Sequence, residues 1–493
     1  MTLGQCRCGP EHLGAINEAI PGPTQLGSGC AFSCVDPAPA IKIDTGDVVS
    51  TVGYSTKRQV DAAVAAAKQA QIAWARTTVA ERAGVLTAAV DAIVERSEEI
   101  SRWITTETGK TIAESREEVI DVTLTIARAS IEDARRFGGT NRPAWNESHK
   151  NRRTHTIYQP IGVAGFISPW NFPVEMVANC VGALMMGNAC VWKPSEWASF
   201  GPQLLVEAFT SAGLPQGLTN LIYGGPETGE LLVTHPDVGF LAFIGSTAVG
   251  ELGGNGPLIV LDDADVDAAV DAAVVSCFYM AGQVCTSAER ILVHSAVHDE
   301  FVQKLTARAA ALTVGDPLDE STELGPVSEK RILAKIVAHV DDARDKGATI
   351  TTGGGTSGQF HEATVLTGVT RDMRIYQEET FGPVAPIVKV DSAAQALTLA
   401  NDADYGLSMA VFTSSLTTAY EMSEGLQPST PGRTIGSWEA RSAGTRKAES
   451  AASSETMRCA PSPTSRPLAS PCCDRSASGL TLTLSALAGG YRS

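Results

Sequence analysis

The segment Gly162-Val163-Ala164-Gly165-Phe166-Ile167-Ser168-Pro169-Trp170-Asn171-Phe172-Pro173 runs from unbroken apolar sequence into a loop bracketed by two prolines. Six apolar residues are too few for a buried helix, and each proline fixes φ and removes a backbone donor. The segment therefore reads as a strand buried on both faces, followed by a rigid loop at its C-terminal end. Working outward, short apolar runs recur at 189–192, 218–223 and 240–244, with a helical stretch between successive runs. Strands alternating with helices make a parallel sheet covered on both faces. A second alternating block extends from about 258 to 414, with 290–293 and 385–390 as clear strands. The expected class is α/β, with two parallel-sheet domains.

Upstream, Thr56 is placed to cap a helix carrying Val60, Ala63, Val64, Ala67 and Trp74 at helical spacing. Two longer helices are expected over about 79–107 and 110–137, and a strand or hairpin arm over 148–160. Residues 1–40 are rich in Gly, Pro and Cys without a sustained period and read as poorly ordered. Residues 427–493 are rich in Ser, Ala, Pro and Arg, with eight basic against four acidic side chains. Such a composition buries too little apolar surface to fold alone, so a disordered tail is expected there.

A formal charge of −17 over 493 residues argues against nucleic acid or an anionic membrane as the main partner. No apolar run reaches the length of a membrane span, and the cytoplasm is the expected compartment. The 11 cysteines are odd in number, and no second pair follows Cys6, Cys8, Cys30 and Cys34 at a zinc-site spacing. Free thiols and no metal site are the expectation.

The chemistry centres on Cys285, in Gly282-Gln283-Val284-Cys285-Thr286-Ser287. A lone Cys is usually a small buried hydrophobe. Here Gly282 leaves room beside the thiol, and Thr286 and Ser287 suit a helix N-terminus, whose amides would favour a thiolate nucleophile. Asn171 could donate to an oxygen anion formed by attack of that thiol on a carbonyl. Glu251, in Glu251-Leu252-Gly253-Gly254, is a candidate general base for water. Each of these residues alone would more often be an ordinary turn.

A cofactor reading attaches to three further stretches. Lys193, Ser195 and Glu196 follow the strand 189–192; a carboxylate there accepts from a 2′-hydroxyl and repels a 2′-phosphate, favouring NAD over NADP. Gly225 and Gly229 follow, and Gly245, after Phe243 and Ile244, reads as a strand-to-helix turn that could face a pyrophosphate, although no G-x-G-x-x-G is present. Glu379 and Phe381, in Glu378-Glu379-Thr380-Phe381-Gly382-Pro383-Val384, suit a ribose and a nicotinamide ring.

Taken in order, PWNFP, KPSE, GSTAVG, ELGG, GQVCTSAER and EETFGPV resemble the aldehyde dehydrogenase family over roughly 43–426. The resemblance implies two Rossmann-like parallel-sheet domains: an NAD-binding domain over 41–139 and 161–252 and a catalytic domain over 253–426. It also implies an oligomerisation arm over 140–160, which would join homodimers or homotetramers. An aldehyde would be oxidised to a carboxylic acid through a thiohemiacetal and a thioester on Cys285, with Asn171 on the oxyanion and Glu251 activating water. Ile167, Pro169, Trp170, Lys193, Ser195, Glu196, Gly225, Gly229, Gly245, Ser246, Val249, Leu252, Glu379 and Phe381 would surround NAD. Two stretches depart from the family pattern. Glu251 follows Gly250 directly, where the family inserts a helix and a strand, and the family's closing strands are not recognisable after Gln427. Residues before Ile43 likewise do not match the family's opening strands. The alternative expectation is a catalytically impaired relative that keeps at most ester hydrolysis without NAD, or partner binding.

Overall fold

The computed structural model describes residues 35–41, 48–142, 150–151, 153–245, 254–403, 405–427 and 437–441. Two parallel sheets organise the chain. The first contains β5 (Val163–Ile167), β6 (Ala189–Lys193), β7 (Thr219–Leu221) and β8 (Val238–Phe243) in the spatial order β7-β6-β5-β8. Every residue of β5 and β6 is buried, as expected for strands covered on both faces. At Gly165 a Cβ would come within 2.9 Å of Leu241 Cδ1, so the end of that side chain packs over the glycine. The chain steps outward from β5 to β7 and then returns to pair β8 on the other side of β5. That reversal opens a crevice beyond the C-terminal ends of β5 and β8, the usual ligand position in such sheets.

The second sheet comprises β9 (Gly256–Val260), β10 (Ala288–His294), β11 (Thr349–Thr352), β14 (Thr364–Thr367), β15 (Val384–Val390), β16 (Ser408–Phe412) and β17 (Ser437–Arg441). Their order is β11-β14-β15-β10-β9-β16-β17, and only β11 runs antiparallel to its neighbour. Side chains of β9 alternate between two separate cores: Leu258 and Val260 face one, Ile259 and Leu261 the other. Three two-stranded pairs complete the strands: β1 (Val35–Ile41) with β2 (Val48–Tyr54), β3 (Asn141–Arg142) with β4 (Thr154–His155), and β12 (Thr356–Ser357) with β13 (Phe360–His361).

The helix α1 (Lys57–Trp74) begins where Thr56 predicts it, with the Thr56 amide donating to Gln59 Oε1 at 2.7 Å. The two long helices expected next are each interrupted. The first divides at Arg96 into α2 (Val79–Glu95) and α3 (Ser97–Thr108). The second divides into α4 (Ile112–Glu117), a π-helical stretch Glu118–Leu124 and α5 (Thr125–Arg136). The buried stripe Leu86, Val90, Ile93, Ile100 runs across the first break, which is why periodicity did not reveal it.

Two further expectations need correction. The stretch 1–40 reads as poorly ordered; within it β1 begins at Val35 and pairs antiparallel with β2, and 1–34 lie outside the described residues. For the tail 427–493 the composition predicts disorder; within it β17 pairs in parallel along β16 from Ser408↔Ser437 to Phe412↔Arg441, and 428–436 and 442–493 lie outside the described residues. An open strand edge presents unpaired donors and acceptors that recruit nearby backbone, whatever its composition. In the expected arm, Asn141–Arg142 pairs with Thr154–His155, and 143–149 and 152 lie outside the described residues. No helix among the described residues is long and apolar enough to cross a membrane. No group of three or more metal-ligating side chains is placed to hold an ion among them.

Candidate active site

Cys285 lies in the turn just before β10, and β10 begins beside Gly256 at the start of β9. The loop carrying Asn171 leaves the C-terminal end of β5. The site therefore forms where the N-terminal ends of one sheet's strands meet the C-terminal end of the other's. Contact is direct: Asn171 Nδ2 donates to the Gln283 carbonyl at 2.9 Å, two residues before the thiol. Gln283 is fully buried; its Nε2 donates to the Met280 carbonyl at 2.9 Å, and its Oε1 accepts from the Ser328 amide at 2.9 Å.

Three consecutive residues before Gln283 have left-handed backbone: Met280 (φ 51°), Ala281 (φ 52°) and Gly282 (φ 70°). At Gly282 a Cβ would meet the Gly382 carbonyl oxygen at 2.0 Å, so no other residue fits without displacing backbone. The helix N-terminus expected at Cys285 is absent, because this turn leads into a strand. The amides of Cys285 and Thr286 still lower the thiol pKa, but burial outweighs them, followed by the charges of Glu175 and Glu379. The thiol is pushed up to about 12.

Beyond the first sheet, Lys193 Nζ donates to the carbonyls of Gly224 (2.6 Å) and Pro194 (3.1 Å) and lies 3.7 Å from Glu196 Oε2. Its pKa is lowered, mainly by burial. A Cβ at Gly229 would rest 3.8 Å from Ile167 Cδ1 and from the Lys193 stem, and one at Gly225 3.6 Å from Glu196 Oε1. Ile167, Lys193, Glu196, Gly225 and Gly229 thus share one end of the sheet. Gly245 follows β8 beside them, since Ile244 N donates to the Ile167 carbonyl at 3.1 Å. Ser195 Oγ accepts from the Trp197 amide at 3.3 Å, a local turn contact. Pro169 and Trp170 are half-buried, and Trp170 meets Phe381 edge-on at 6.1 Å. Glu379 Oε1 accepts from the Gly254 amide at 2.8 Å, leaving its second oxygen for another donor. Glu251, Ser246, Val249 and Leu252 lie outside the described residues.

The family model described as "Aldehyde dehydrogenase family" matches residues 33–432. The chain belongs to the aldehyde dehydrogenase family. This match begins earlier and ends later than the 43–426 expected, and so takes in β1 and the six residues after Leu426. It is 38% identical over 413 residues to a betaine aldehyde dehydrogenase of Rhizobium etli, covering 78% of this chain and 83% of that one. It is 37% identical over 438 residues to a Sinorhizobium fredii protein named "Probable succinate-semialdehyde dehydrogenase, NADP(+)", covering 84% and 87%. Among solved structures, an aldehyde dehydrogenase from Brucella melitensis superposes with a TM-score of 0.79 at 34% identity, covering 83% and 86%. An NADP-dependent enzyme of E. coli superposes at 0.78 with 32% identity, covering 83% and 87%.

In this aldehyde dehydrogenase several side chains at the site were not singled out from the sequence, although one of them, Glu289, lies within GQVCTSAER. Glu289, fully buried, accepts from the amides of Thr380 and Phe381 and so holds the EETFGPV loop. Its carboxyl is pushed up to about 8, first by burial and then by the charge of Glu379. Lys110 and Glu118, both fully buried, pair beneath the Asn171 loop, with Lys110 Nζ 4.0 Å from the centre of the Phe172 ring. A buried ion pair at a spacing of eight is indistinguishable in sequence from two solvated charges.

Proposed function

We propose that this dehydrogenase oxidises an aldehyde to a carboxylic acid with NAD, through a thioester on Cys285. The observation that carries the reading is the 2.9 Å contact of Asn171 Nδ2 with the Gln283 carbonyl, which ties the proposed oxyanion donor to the loop of the proposed nucleophile. The residues around Lys193 fit a dinucleotide: a buried amine and a carboxylate at a strand end suit a ribose diol, and glycines at 225 and 229 leave the surface clear. Bound there, NAD supplies the hydride acceptor that the oxidation requires.

The chain's own groups do the rest. Cys285 gives up its Sγ proton to water as Sγ adds to the aldehyde carbon, and Asn171 Nδ2 donates to the oxygen that becomes anionic. After oxidation the acyl group is held on Cys285 as a thioester. Glu251 takes a proton from water, whose oxygen attacks the acyl carbon and releases the acid and the thiol. Glu196 favours NAD over NADP because its carboxylate would repel a 2′-phosphate. Exposed Ile157 and Tyr158 beside β4 suit contact with a second copy, in keeping with a homodimer or homotetramer.

The test is NADH formation over a panel of cationic, anionic and neutral aldehydes, with NAD and NADP in parallel. The reading requires turnover with at least one aldehyde and a higher kcat/KM with NAD. No turnover with any member, in protein that still hydrolyses a nitrophenyl ester without dinucleotide, would leave only a thiol esterase. The Asn171 contact permits that second reading, because it joins the two loops independently of the Glu251 segment.

A further inference from the structure

The left-handed run before Cys285 is unfavourable for two non-glycine residues and persists only if its surroundings over-determine it. What holds it comes from the other sheet's side of the molecule. Glu114 Oε1, on α4, accepts from the Met280 amide at 2.6 Å, and the Tyr279 hydroxyl donates to the Glu114 carbonyl at 3.3 Å. Glu114 Oε2 meanwhile accepts from the Thr111 amide at 2.8 Å, which fixes the carboxylate to the start of its helix. Glu118 follows four residues later, on the same helical face. Its Oε1 accepts from the Val174 amide at 3.2 Å, at the end of the Asn171 loop, and its Oε2 accepts from buried Lys110.

We propose that Glu114 and Glu118 are positioning residues that grip the Cys285 loop and the Asn171 loop from a single helical face, and so set the distance between nucleophile and oxyanion donor. The proposal rests on the roles given above to Cys285 and Asn171. Neither carboxylate touches the reacting atoms; each acts through a backbone amide of the loop it holds. With Glu114 removed, Met280 and Ala281 relax toward right-handed backbone and Cys285 is displaced. With the Lys110–Glu118 pair removed, the Asn171 loop loses its anchor while Cys285 keeps its own.

Three variants test this: E114A; E114Q, which keeps an acceptor oxygen for the Met280 amide; and K110M/E118L, which removes both buried charges together so that neither is left unpaired. Aldehyde oxidation is expressed as kcat per iodoacetamide-titratable Cys285, so that unfolded protein does not count. E114A and K110M/E118L are expected to lose about 100-fold in this kcat, with KM for the aldehyde and Kd for NAD within about threefold of wild type. E114Q is expected to recover to within about tenfold. Iodoacetamide alkylation of Cys285 gives a readout independent of turnover. In the wild type its rate should still be climbing at pH 10, because burial holds the thiol up, whereas E114A should level off at least about one pH unit earlier. The proposal is overturned if E114A keeps both wild-type kcat per thiol and the wild-type alkylation profile. It is equally overturned if kcat and NAD affinity fall by the same factor, as general loosening would cause. A wild type that oxidises no aldehyde, paired with a shifted alkylation profile in E114A, would sink the proposed oxidation and leave the positioning intact.

Discussion

The strands β8 and β9 stand on either side of the same short stretch of chain, yet they sit in the molecule very differently. Every residue of β9 is buried, between β10 and β16 and under two cores. No residue of β8 is fully buried: Phe240, Leu241, Ala242 and Phe243 are all half-exposed, and β8 is the last described strand of its sheet. Phe240 and Leu241 are apolar residues that an additional strand or helix would cover. Residues 246–253, which follow β8, lie outside the described residues. The difference teaches that, among the described residues, a side chain in β9 is enclosed on every side while one in β8 is not.

The largest expected effect separates the two halves. Cys285→Ser should lower aldehyde oxidation by a factor on the order of 10⁴ or more. It should leave intact the rise in melting temperature on adding NAD, because the residues near Lys193 do not touch the thiol. Loss of that thermal shift in the Ser variant would show that the halves do not bind and react independently. Next, Asn171→Ala should cost roughly 10²–10³ in kcat, the scale for one oxyanion donor. An unchanged kcat would mean that the amide serves only to hold the Gln283 carbonyl.

Stability should follow the strands. Ile259→Ala in β9 is expected to cost about 2–5 kcal/mol in urea unfolding, and Phe240→Ala in β8 under about 2 kcal/mol despite its larger side chain. Equal costs would contradict the picture of β8 as an open edge. The smallest effect is one of pH and should be shared. Glu107, in the cofactor half, accepts from the amides of Ser199 and Phe200; like Glu289 it is pushed up to about 8, chiefly by burial. A carboxyl whose folded pKa is raised contributes its full stability below the ordinary value of 4.5. That contribution is lost as pH climbs through about 8. The melting temperature should therefore fall between pH 5 and pH 8.5, and E107Q and E289Q should each flatten the fall. A level wild-type profile would refute both assignments.

Both sheets were legible in the sequence because a strand covered on two faces writes itself as an unbroken apolar run, as 163–167 and 384–388 do. β17 was not legible, since a parallel edge strand is recruited by the row of backbone groups on β16 and not by its own apolar pattern. Cys285 and Asn171 stood out through the motifs around them, and the structure puts their loops in contact. Their supports did not. Glu114 reaches Met280 across 166 positions and Asn171 reaches Gln283 across 112, and nothing local in a chain marks a partner at that range. Glu379 shows the converse: its motif was clear, but its bond to the Gly254 amide appears only once the two loops are folded together.

That bond has a consequence for the reach of Glu251. A Cβ on Gly254 would lie 1.8 Å from the Cys285 carbonyl oxygen, so this glycine is pressed onto the nucleophile's own backbone while Glu379 holds its amide. Glu251 is three residues away, and three residues of fully extended chain span at most about 11 Å. The chain distance alone therefore ties Glu251 to a glycine packed against the Cys285 backbone.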